Sequence, residues 1–196
     1  TSALSQDLPE RLAQWTTQHP DIKVDVQEVR SGRIVDAVRE GLADIGIVTT
    51  APVPDLRFEP YGHDRLCVVV SQRHPLKARS VAFEALLEHE VVGLDNSAAL
   101  TQAMKQAAEA AGKFLRLRIQ VQSFEGVCRL VAAGQGVAVL PEGAVEAFRL
   151  PLKLRFIRLT DGWADRPMHV CVKPGVLQAP TRRLLRFLTG VAQGAT

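Results

Sequence analysis

The sequence predicts an α/β protein built as two subdomains, and three observations lead there. Amphipathic helical stretches alternate with short apolar runs along most of the 196 residues, which is the pattern of successive βα units. That rhythm is interrupted by one long strand near residues 65–71 and then restarts with new elements. Finally, residues 124–141 place a helix, a Gly-x-Gly turn and a buried strand in one continuous piece. Val127, Cys128, Val131 and Ala132 recur at helical spacing, Gly134 and Gly136 stop the helix, Val137 to Leu140 is wholly apolar, and Pro141 closes the run.

The elements follow in order. Ser5 can cap a first helix that carries Leu8, Leu12 and Trp15 on one stripe, tolerates Pro9 in its first turn and ends at His19-Pro20. Ile22 to Val26 alternates strictly and reads as a strand. Ser31-Gly32 reads as a turn, followed by a helix with Ile34, Val35, Val38 and Leu42, stopped at Gly41 or just after it. Ala43 to Val48 is a short buried strand. Helix, strand, helix, strand in that order favours a parallel sheet with right-handed crossovers.

Residues 52–60 read as loop and edge, Arg65 to Val70 as a strand, and His74-Pro75 as its stop. Val91 to Leu94 is a strand, and Asn96-Ser97 caps a helix with Leu100, Met104, Ala107, Ala108 and Ala111 that ends at Gly112. Leu117 to Val121 alternates as a strand ahead of the 124–141 piece. Leu154 to Leu159, an Asp161-Gly162 turn and Met168 to Val172 come next. A last helix from about Pro180 buries Leu184, Leu185, Phe187, Leu188 and Val191. The strand at 168–172 returns the chain to the first subdomain. The expected lobes are residues 1–70 with 168–196, and residues 71–167, joined by two crossing strands with a cleft between them. Helix N-termini at 3–5, 96–98 and 122–124 are expected to face that cleft, since ligands gather at the carboxyl ends of parallel strands.

Composition narrows the function. Forty-six per cent apolar and 23% charged residues are ordinary for a globular protein. A net charge of +3, evenly spread, does not point to nucleic acid, and Arg182, Arg183 and Arg186 read as a solvated helix face. Cys67, Cys128 and Cys171 are odd in number, far apart and each within an apolar run. They read as buried reduced thiols, so a reducing, cytoplasmic compartment is expected. No apolar stretch approaches the roughly 20 residues that span a bilayer, and no signal peptide is seen. The sequence has no G-x-S-x-G elbow, P-loop or G-x-G-x-x-G at a strand-to-helix turn, so no enzyme is expected. His63, His74, His89 and His169 lack ligand spacing, so neither metal nor cofactor is expected.

Taken together, the pattern resembles the effector-binding domain of LysR-type transcriptional regulators across essentially the whole chain. The matching residues are Leu8-Pro9, Leu12 and His19 to Ile22, then Gly41 to Ile47, then Val68 to Ser71 with His74 to Leu76, and most distinctively Val131 to Pro141. The resemblance implies a type 2 periplasmic-binding-protein-like fold, two Rossmann-like lobes joined by two crossing strands. It implies a small-molecule effector held between the lobes, with a small organic acid as the class the family suggests, and a homodimer or tetramer through the first-lobe helices. In that family a winged helix-turn-helix domain comes first and contacts DNA. It is absent here, so the chain is expected not to bind operator DNA by itself. The family also has a strand ahead of the first helix, which falls outside a sequence that opens at Thr1-Ser2.

Family members contact effectors from the loop before the first helix, which here is Thr1, Ser2 and Ala3. Hydroxyls beside free helix N–H groups suit an anion, although Ser2 or Ser5 can equally serve as an N-cap, and both roles can coexist. In the second lobe the matching loop is Asp95 to Ala98, which nominates Ser97 and Ala98 with the same ambiguity, while Asp95 argues against strong anion attraction. Ser123, ahead of the helix in residues 124–141, is the second-lobe residue best placed to touch ligand. Thr49 and Thr50 end a strand and either point into the cleft or serve as plain loop. Gly126 and Gly143 read as backbone devices, and Trp163 as padding near the second crossing. The competing readings are a solute-binding transport protein, which would be exported, and a small two-lobed enzyme, which would turn over its ligand.

Overall fold

The computed structural model describes residue 3 and residues 7–96 and 98–190. These residues form two compact units, one of residues 1–64 and 167–196, the other of residues 65–166.

The first unit carries helices α1 (Leu8–Gln18), α2 (Ser31–Glu40) and α7 (Ala179–Thr189) and strand β1 (Gly46–Val48). It also holds the first half of the long strand β2 (Arg57–Ser71) and most of β8 (Asp165–Val172). β1 pairs antiparallel with β8, with Gly46 opposite Cys171 and Val48 opposite His169. The core lies on both faces of this pair. Leu8, Met168, Val170, Val172, Leu185 and Leu188 form one cluster, and Ile34, Val35, Val38, Val48, Leu56 and Cys171 form the other. Gly46 lets α2 approach β1 closely: a Cβ there would lie 2.5 Å from Ile34 Cγ2 and 2.7 Å from Cys171 Sγ. The last turn of α7 is held by Arg11, whose guanidinium donates to the carbonyls of Phe187 and Leu188 at 2.9 and 2.6 Å. A cation there satisfies carbonyls that the helix itself cannot.

The second unit carries β3 (Ser80–Val81), α3 (Phe83–Leu86), β4 (Val91–Leu94), α4 (Ala99–Ala110), β5 (Leu117–Val121), α5 (Phe124–Ala132), β6 (Ala138–Pro141), α6 (Glu142–Arg149) and β7 (Leu154–Leu159). The second half of β2 pairs antiparallel with β6 on one side and β7 on the other, and β3 runs parallel to β7. β4 and β5 are parallel, and Val91 bridges Val137 just ahead of β6. One core cluster fills the unit, from Leu66 to Val70 on β2 through Phe83, Met104, Val127, Cys128 and Val131 to Leu140 and Ile157. The Gly-x-Gly turn works by two different means. Gly134 is left-handed at φ 78° and has open space around it, whereas Gly136 (φ 146°) sits where a Cβ would lie 2.3 Å from the carbonyl oxygen of Glu90. That approach is what allows Val137 to donate to Glu90 at 2.9 Å and Val92 to Val137 at 2.8 Å.

Several expectations need correction. The sheet is mixed: β1 and the β2 pairings are antiparallel, because β2 and β8 each run back against their neighbours. Ile22 to Val26 is not a strand, since nothing among the described residues pairs with it. Ser31 and Gly32 are the first turn of α2 rather than a separate turn. Leu42 is 76% exposed because Gly41, left-handed at φ 77°, ends the helix before Leu42 can join its apolar stripe. α4 is not capped by Asn96-Ser97; its N-cap is Ala98, with no side-chain cap bond. Pro141 closes β6 as expected, and what the sequence reading lacks is the helix it opens: Pro141 is the N-cap of α6, whose Ala144 and Val145 are buried. Ser5 and Val191 lie outside the described residues.

Candidate functional site

In the second unit, adjacency of two parallel strands builds the site. Leu94 ends β4 opposite Val121, which ends β5, and the backbone N–H of Asp95 donates to Val121 at 3.1 Å. α4 follows the first strand and α5 the second, so the N-termini of two helices emerge together from one edge of the sheet. Each N-terminus presents N–H groups without intrahelical partners and a partial positive charge. The buried hydroxyl of Thr101 donates to the Leu94 carbonyl at 2.9 Å and ties the first turn of α4 to the strand end.

Ser123 is the N-cap of α5, and its hydroxyl oxygen accepts from the Gly126 N–H at 3.1 Å. The capping role is therefore real, and it uses the oxygen as acceptor while leaving the exposed O–H as a donor. Ala98, the N-cap of α4, makes no side-chain cap bond and can contribute its backbone only. Gly126 leaves room for this cap, since a Cβ there would come within 3.1 Å of Ser123 Oγ. Thr1, Ser2 and Ser97 lie outside the described residues.

In the first unit, Ala3 is 1% exposed and packs in the cluster with Leu8 and Met168. Thr49 is half-buried just beyond β1. The short connection 41–45 folds β1 back along α2, which puts Ser31, the first residue of α2, at the same end as Thr49. Ser31 thus meets the criterion that nominated Ser123, a hydroxyl at a helix N-terminus, and its reading as a turn residue concealed it. After Thr49, Thr50 has a buried Oγ1 without a hydrogen-bond partner among the described residues, and His169 Nδ1 on β8 is likewise buried and unpartnered among them. The His169 ring lies 6.1 Å from that of Phe58, edge to face.

Other singled-out residues have structural roles. Trp163 stacks edge-on against Phe83 at 5.1 Å and packs on the second-unit core. The three cysteines are free and buried; burial pushes the Cys128 and Cys171 thiols up to about 11 and Cys67 further, so all three stay protonated and unreactive at neutral pH. The His74 and His89 rings meet at 5.2 Å, a proximity their spacing does not reveal. Burial, then the neighbouring His89, Arg155 and Lys77, holds His74 below the usual histidine range. Among the described residues no group of three or more His, Cys, Asp or Glu is placed to hold a metal ion, and no helix is long and apolar enough to cross a membrane.

Two α/β units, with helix N-termini gathered at strand ends, define a small-molecule-binding class of domain. Comparison with known proteins then identifies the family. Residues 1–193 match the LysR substrate binding domain, and the chain belongs to that family. It is 29% identical over 202 residues to the probable HTH-type transcriptional regulator LrrA of Synechococcus elongatus, covering 99% of this chain and 64% of that protein. The chain thus spans less than two thirds of that relative's length. Among solved structures, the regulatory domain of Synechocystis CcmR in complex with 2-PG superposes with a TM-score of 0.84 at 21% identity, covering 95% of this chain and 91% of that one. The effector-binding domain of QuiR in complex with shikimate gives 0.81 at 17% identity, covering 95% and 90%. These likenesses fix the fold as the type 2 periplasmic-binding-protein-like architecture.

Proposed function

We propose that this chain is the ligand-sensing part of a LysR-type transcriptional regulator and that it binds a small acceptor-rich molecule, an organic acid in class. The observation that carries this reading is the side-by-side emergence of α4 and α5 from the paired ends of β4 and β5, with Ala98 and Ser123 at their starts. The partial positive charge of two helix N-termini and a serine O–H favour carboxylate or phosphate oxygens. The remaining contacts are assigned to Thr1, Ser2, Ala3, Thr49 and Ser97.

The effector then favours one conformation of the regulator over another, which is how binding is passed on. A DNA-binding domain elsewhere in the longer protein makes the operator contacts, and copies associate as a homodimer or tetramer through the first-unit helices. Relatives named as transcriptional regulators support sensing over solute transport and over catalysis. Three buried, unpaired thiols support a cytoplasmic setting. The test is a thermal-shift screen of organic acids and phosphates, with 2-PG, shikimate and benzoate included. A ligand at about 100 times its Kd adds roughly 2.7 kcal/mol of stability, so a clear rise in Tm is expected for at least one. No shift with any anionic metabolite, or a ligand recovered chemically altered, contradicts the reading.

A further inference from the structure

Residues 72–79, which join β2 to β3, are held to the second unit by few side chains. His74 and Leu76 are half-buried and the others are exposed. Those two residues are fastened together. The Leu76 N–H donates to His74 Nδ1 at 3.2 Å, and Arg155 on β7 donates from Nη2 to the carbonyls of His74 and Leu76 at 3.1 and 2.7 Å. The same segment lays β3 on the edge of its sheet. There the Arg158 N–H donates to the Arg79 carbonyl at 3.1 Å and the Thr160 N–H to the Val81 carbonyl at 3.0 Å.

Every charged group acting on the His74 ring is a cation or can become one. His89, from the connection between α3 and β4, meets the ring edge to face at 5.2 Å. Arg155 comes from β7, and Lys77 comes from the segment itself, where it donates to the Gln72 carbonyl at 3.3 Å. Glu88 and Glu90 flank His89 in sequence, but neither is among the charges acting on His74, and Glu88 pairs with Lys113 at 3.2 Å. Nδ1 can accept the Leu76 N–H only while the ring is neutral with its proton on Nε2. A proton taken up at Nδ1 sets donor against donor and adds a positive charge beside Arg155, Lys77 and His89.

We propose that His74 and His89 form a pH-sensitive latch: with both rings neutral it holds residues 72–81 on the second unit, and protonation releases them and frees the β7 edge. Burial and the cationic neighbours hold His74 below the ordinary histidine range. The latch therefore contributes its full stability above that range and loses it as pH falls through the lowered value. Acidity is thus an input to the domain that is independent of the effector proposed above.

Hydrogen-exchange protection factors, which divide out the intrinsic pH dependence of exchange, test the latch at about pH 7.5 and about pH 5. In the wild type, protection of the Leu76, Arg158 and Thr160 amides is expected to fall about tenfold more than that of β4 and β5. His74→Asn supplies Oδ1 as an acceptor that does not titrate, so the three amides are expected to stay protected at both pH values. In His89→Gln the fall is expected to shrink to about threefold, with His74 titrating nearer the ordinary histidine value by NMR. Equal protection of the wild type at the two pH values, or a fall spread evenly over the second unit, overturns the latch. So does a His74→Asn protein that loses protection in acid as the wild type does. An unchanged fall and an unchanged His74 titration in His89→Gln overturn the pairing of the two rings.

Discussion

Ser123 has a structural role as the N-cap of α5 and, in the proposed reading, a ligand contact as well. Its oxygen caps α5 through Gly126, and its proton remains available to an incoming oxygen. The two roles separate by substitution. Ser123→Ala removes the cap and is expected to cost about 1 kcal/mol, a fall in Tm of roughly 2–4 °C for a chain of this size. Ser123→Asp keeps a good cap and is expected to leave Tm near wild type, yet its charge repels an anion, so acid binding should be lost in both variants. An aspartate variant that binds organic acids like wild type, as read by calorimetry, would show that Ser123 is a cap and nothing more. This residue was legible in the sequence because a hydroxyl directly precedes a strongly periodic apolar stretch. Gln120 and Asn96, whose side chains are hydrogen-bonded, were not legible as partners. They are 24 positions apart, and only the parallel register of β4 and β5 brings them together.

At the scale of elements, the pieces read best were those with a continuous apolar signal, such as β4, α5, β6, β7 and α7. The pieces misread were those where a breaker residue has a second use. Pro141 ends β6 as its missing N–H suggests, but it is also the N-cap of α6, and Gly143 lies in the first turn of that helix, where lost helix propensity matters little. Gly32 likewise sits in the first turn of α2. Ile22 to Val26 has strand periodicity without a ladder, since alternation describes a pleated chain and pairing needs a neighbour. The Gly134 and Gly136 turn gives a quantitative check on this reasoning. Gly134→Ala meets only an unfavourable φ and should cost about 1 kcal/mol. Gly136→Ala adds a clash with the Glu90 carbonyl to its strained φ, and should cost at least about 2 kcal/mol. Equal denaturation midpoints for the two variants would mean that the close approach at Glu90 does not constrain the fold.

For the whole molecule, the chain passes between its two units once within β2 and once within β8. Sequence periodicity gave the kinds of element in each unit, and the mixed sheet emerges only from the pairing of β1 with β8 and of β2 with β6 and β7. Family membership rests on the match over residues 1–193, and the sensing function rests on where helix N-termini gather. The central claim is that acids bind at those strand ends, and an NMR titration of the isotopically labelled protein with 2-PG, shikimate and benzoate tests it most directly. The account predicts saturable shifts concentrated at the amides of residues 96–101, 123–127, 31–34 and 49–50. Shifts concentrated elsewhere, or uniform small drifts that never saturate with any of the three acids, would contradict it.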